Sequence, residues 1–108
     1  MGQIYLQHFE YRGAIDKSAF DDAWAIANEA MAKTGNWGGV ENGVKHLHAY
    51  GTGSGGYALI EVDDPKAFEQ YQLFHNTNYG HICRITFEPL TDLDAALAPN
   101  LAEIRTKG

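Results

Sequence analysis

The sequence predicts an α+β fold: a four-stranded antiparallel sheet with two helices on one face, followed by a terminal helix. Three observations carry that prediction. Runs of period-two alternation and runs of helical periodicity follow one another as strand, helix, strand, strand, helix, strand, helix. The break GTGSGG at 51–56 joins two adjacent alternating runs and reads as a β-hairpin. Each half is then a strand-helix-strand unit with a right-handed crossover, which gives the ferredoxin-like βαββαβ arrangement with strand order 4-1-3-2. With 108 residues the chain has enough length for one core, so residues 1–108 are expected to form a single domain.

The first strand is expected over Gln3 to Arg12, where Ile4, Leu6 and His8 alternate with Tyr5, Gln7, Phe9 and Tyr11, and Gly13 ends it. Asp16 or Ser18 caps a helix to about Lys33, with Phe20, Trp24, Ala27 and Met31 on one face and Gly35 at its close. Trp37, in a glycine-flanked loop, is expected to fold back over the core edge. In the hairpin, Leu47, Ala49, Ala58, Ile60 and Val62 should face the core. Val44, His46, His48, Tyr50, Tyr57, Leu59 and Glu61 should lie opposite.

Asp64 and Pro65 start a second helix to about Phe74 or His75 that turns Ala67, Phe68, Tyr71 and Phe74 inward. Asn76 to Gly80 reads as a polar turn. His81 to Pro89 is the last strand, with Cys83, Ile85 and Phe87 on one face and Ile82, Arg84, Thr86 and Glu88 on the other. Beyond Thr91, the residues Leu93, Leu97, Leu101 and Ile104 keep a helical stripe that Pro99 should break or kink.

Composition narrows the partners. A formal charge of −6 without any Lys/Arg cluster argues against nucleic acid and against an anionic membrane surface. No run approaches the ~20 apolar residues of a membrane span, and MGQIYLQHF does not read as a signal peptide, so a cytoplasmic location is expected. The single cysteine, Cys83, excludes an internal disulfide and reads as a buried, inert thiol.

Expected opposite the helices is a face of Tyr5, Gln7, Phe9, Tyr11, His46, His48, Tyr50, Tyr57, Leu59, Glu61, Ile82, Arg84, Thr86 and Glu88. It is too aromatic for water and too polar for an ordinary core. Two chains laying such faces together would bury the rings and enclose the polar groups, which predicts a homodimer of the dimeric α+β barrel kind; the alternative is a monomer that covers the face with its own C-terminal helix.

The runs GGYALIEVDDP at 55–65, KHLHAYGTGS at 45–54 and FEPLTDLDAAL at 87–97 resemble a family of short bacterial and archaeal proteins. That family is catalogued as a domain of unknown function, with a Gly-Gly-aromatic-Ala stretch leading into Glu-x-Asp-Asp-Pro. The likeness covers Val44 to the C-terminus and implies the dimeric α+β barrel superfamily, whose members include cofactor-free monooxygenases, haem-degrading or haem-binding enzymes and lactone isomerases. It implies no particular activity.

Chemistry is expected around His46-x-His48, since residues two apart on a regular strand share a side. In the leading reading, a small partly aromatic or anionic molecule binds inside the barrel against Tyr5, Phe9, Tyr50 and Glu61. His48 or His46 acts as general base near Tyr57, with Arg84 holding negative charge. The reaction is then proton transfer or oxygenation without an organic cofactor. A second reading uses His46, His48 and Glu61 to hold Zn, Cu or Fe, or one histidine to hold haem. A third is a non-catalytic dimerisation module.

Overall fold

A computed structural model describes residues 2–107 of the chain, with side chains through Thr106. The elements run β1 (Gln3–Tyr11), α1 (Lys17–Thr34), β2 (Val44–Thr52), β3 (Gly55–Val62), α2 (Pro65–Asn78), β4 (Cys83–Pro89) and α3 (Leu93–Lys107). All pairings in the four-stranded sheet are antiparallel, in the order β2-β3-β1-β4. Read from the other edge this is the 4-1-3-2 expected from the sequence.

Local chemistry fixes the helix ends. Asp16 accepts a hydrogen bond from the Ala19 N–H, and Gly35, at φ 83°, takes the left-handed position after α1. Asp64 accepts from the Lys66 N–H, and Pro65 opens α2 at a position with no N–H to lose. α2 runs one turn further than its sequence suggests. Asn78 donates from its side chain to the Phe74 carbonyl, and the Tyr79 N–H closes on His75, so residues expected in a polar turn complete the helix.

Both helices pack on one face of the sheet, over two aromatic-rich clusters. Phe9, Ala23, Ala27, Tyr79, Ile82 and Cys83 form one, beside Trp24 and Trp37. Val40, Val44, Ile60, Val62, Ala67 and Tyr71 form the other, beside Tyr5, Phe68 and Phe87.

Several expected facings are corrected. In β1, Tyr5, Gln7, Phe9 and Tyr11 turn toward the helices, and Ile4, Leu6 and His8 take the open face. Both parities of β1 carry apolar residues, and the aromatic set removes more area from water. In β2, His46 pairs with Ile60 while His48 pairs with Leu59, so a bulge at Leu47 reverses the alternation. Val44 and His46 therefore lie on the helix side, Ala49 returns to it, and Leu47 is 41% exposed rather than core. Ile82 is buried because it sits in the Tyr79–Ile82 turn ahead of β4, not on the open face of a longer strand. Cys83 is buried, as the sequence indicated.

α3 does not pack on the body. It continues through Pro99, and every described residue from Glu88 to Thr106 is exposed. The molecule measures 62 × 30 × 19 Å, with a radius of gyration of 17.2 Å. A compact chain of this length has roughly 13 Å.

Candidate functional site

The expected site residues do not converge in one chain. His46 lies on the helix side with its ring 5.1 Å from that of Trp37, and its Nδ1 is buried without a partner. Burial, and secondarily the neighbouring His48, pushes its pKa down. His48 stands on the open face, tilted against Tyr50 at 4.6 Å. Tyr57 shares that face but stacks on His8 at 4.7 Å, the histidine expected on the other side.

Glu61 is cross-strand to Ile4 and Lys45. Arg84 is opposite Glu10 on β4, at the far edge of the sheet from β2, with β3 and β1 between. Tyr5 packs on Phe68 and Phe9 is core, so neither faces the histidines of the open side. The set His46, His48 and Glu61 is thus split across the sheet. Among the described residues, no group of three His, Cys, Asp or Glu side chains is placed to hold a metal ion.

A different constellation forms between sheet and helices. Ala67, Tyr71 and His75 are spaced by four on α2, so one stripe carries all three inward, and His75 is 1% exposed. Its Nδ1 lies 2.8 Å from the Tyr71 carbonyl oxygen, to which it must donate. That fixes the tautomer and leaves Nε2 as a bare lone pair, buried and without a partner. Burial drives the His75 pKa down to about 4, against a smaller opposite pull from the Tyr71 carbonyl, so the ring is neutral near pH 7.

Gln7, also 1% exposed, sits on the strand beneath, and its Oε1 accepts from the Tyr71 hydroxyl at 2.6 Å. The Tyr79 hydroxyl donates to the Trp37 carbonyl at 2.6 Å, tying the loop after α1 to the end of α2. Desolvation holds Tyr71 and Tyr79 above the ordinary phenol range and pushes the Cys83 thiol up to about 11. The walls therefore carry no charge at neutral pH.

Gln7, His75, Tyr79 and Cys83 line a cavity of about 40 Å³, whose wall also includes Phe9, Trp24 and Trp37. Phe9, Trp24 and Trp37 meet edge to face at 5.7 to 6.4 Å and also line a groove of about 310 Å³ that opens by Tyr50, Gly51 and Thr52. Gly56 lets Phe9 lie this close to β3, because a Cβ there would meet the Phe9 ring at 2.6 Å. Both tryptophans of the chain belong to this wall.

Sequence reasoning passed over His75, Gln7 and Trp24 as site residues. The usable signal was the spacing of four from Ala67 through Tyr71 to His75. Compared with known proteins, the chain matches no protein-family model, and no curated protein matches it.

Proposed function

We propose that this chain is a small-molecule enzyme or binding protein with a ferredoxin-like fold, paired as a dimeric α+β barrel, whose ligand enters between the sheet and the helices. One observation carries the reading: His75, whose Nε2 is a buried hydrogen-bond acceptor without a partner, lines a largely apolar cavity. Buried polar groups are normally satisfied, and an orphan of this kind calls for a donor.

The ligand is a small, neutral, partly aromatic molecule with a hydroxyl or N–H at one end. A cavity of about 40 Å³ is well below the ~150 Å³ that encloses a benzene ring, so only the polar head fits inside. The ring lies in the outer groove against Trp24 and Trp37. In place of the general base that the sequence suggested at His48, His75 accepts the donor hydrogen and orients the ligand. With a pKa of about 4 it is a strong positioner and a weak base, which favours binding and orientation over outright deprotonation.

The open sheet face supports the pairing. Leu47, Tyr50 and Tyr57 are exposed there, beside Leu6, His8 and Leu59. The same face would serve a dimerisation module without catalysis. The reading in which His46 and His48 share one metal ion loses its main support, since the two rings lie on opposite sides of the strand.

Phenol, followed by tryptophan fluorescence and melting temperature, tests the reading. Saturable quenching and a raised melting temperature are expected. His75→Leu should weaken binding at least tenfold, the loss of a hydrogen bond worth about 1.5 kcal/mol, while His48→Ala leaves it unchanged. Binding that ignores His75 but depends on His48, or no binding, would refute it.

A further inference from the structure

We propose that α3 is an inter-subunit clasp: its leucine stripe packs on the β2 side of a second copy of this chain, over Leu47 and Tyr50. This rests on the homodimer reading above.

α3 is a formed helix whose described residues are all exposed. Asp92 caps it by accepting from the Ala95 N–H at 3.0 Å, yet Leu93, Leu97, Leu101 and Ile104 are 48–66% exposed along one side. A helix of 15 residues is marginal alone in water, and Pro99 removes one of its hydrogen bonds. Its apolar side needs a partner surface.

Among the described residues, its own chain does not provide one. The connection is short and pinned at its start, because the Leu90 N–H bonds the Ile4 carbonyl and Gln3 Nε2 donates to the Leu90 carbonyl, both at 2.8 Å. The sheet thus fixes where the connection to α3 starts, and the described residues of α3 stay exposed. β4, which carries α3, and β2 are opposite edges of the sheet, roughly 14 Å apart across three strand spacings.

The matching surface lies at β2. The bulge pushes Leu47 outward, and Tyr50, at 60% exposure, stands beside it. In a two-fold pair each copy gives one helix and receives one. At roughly 100 Å² for each half-exposed stripe residue, the two helices bring about 800 Å² of apolar surface, and the surfaces they cover bring about as much again. Together that reaches the ~1,600 Å² of a standard stable interface.

Cross-linking tests the placement. Cys83 is buried, so cysteines introduced by Leu97→Cys and Tyr50→Cys in one chain are the accessible thiols. A short bismaleimide should give a covalent dimer in far higher yield than in either single variant, or in a Leu97→Cys, Leu73→Cys control. A link within one chain, or none, would overturn the clasp. Sedimentation of a Leu97→Glu, Leu101→Glu variant supplies the second readout, with the dimer dissociation constant expected to rise at least tenfold. An unchanged dimer would sink the clasp and spare the homodimer; a monomeric wild type would sink both.

Discussion

Asn36 shows how one buried amide organises the wall of the site. It is 1% exposed, its Nδ2 donates to the carbonyls of Val40 at 2.6 Å and Val44 at 3.3 Å, and its Oδ1 accepts from the N–H groups of Gly38 and Val40. Gly38 and Val40 belong to the loop that carries Trp37, and Val44 opens β2. Asn36→Ala should cost about 3 kcal/mol in urea unfolding at neutral pH, because several buried polar groups lose their partner at once. A loss under about 1 kcal/mol would show that the loop holds itself. Nothing in the sequence marks Asn36, since an asparagine after a helix-ending glycine reads as an ordinary turn residue. His75 was half legible: its spacing on α2 was visible, but the bare Nε2 depends on a tautomer that only the Tyr71 carbonyl fixes.

Elements were more legible than facings. Every strand and helix is present in the expected order, because alternation, caps and glycine or proline breaks are local signals. Facing is decided across the sheet. β1 carries apolar residues on both parities, and the choice falls to whichever set packs under Trp24, Phe68 and Trp37. β2 alternates cleanly in sequence, yet a one-residue bulge moves His46 to the opposite side from His48. A bulge of this kind has no local signature here, since Leu47 is as plausible in a regular strand. The strand most regular to the eye therefore misled most about the site.

Taken whole, the molecule has a site whose charge state affects its folding. In the unfolded chain His75 binds a proton below about pH 6.5, whereas in the folded chain it does so only near pH 4. The unfolded state thus holds more protons between those values, so the His75 contribution is full above about pH 6.5 and is lost as pH falls toward 4. Between pH 7 and pH 5 the wild type should lose about 2 kcal/mol more than His75→Phe in urea unfolding, and equal losses would count against a buried neutral ring. His46, also lowered by burial, adds to the trend with the same sign in both proteins.

Ligand capture requires His75 to be a neutral acceptor inside the fold, open to a donor from a small molecule. The most direct measurement is the long-range ¹H–¹⁵N spectrum of the imidazoles, recorded from about pH 7 down to about pH 4, with and without saturating phenol. The account predicts a His75 ring that stays neutral down to about pH 5, with Nε2 unprotonated and moving on phenol addition while the His48 signals stay in place. A His75 ring that titrates near pH 6.5, or phenol that moves His48 and leaves His75 still, would contradict it.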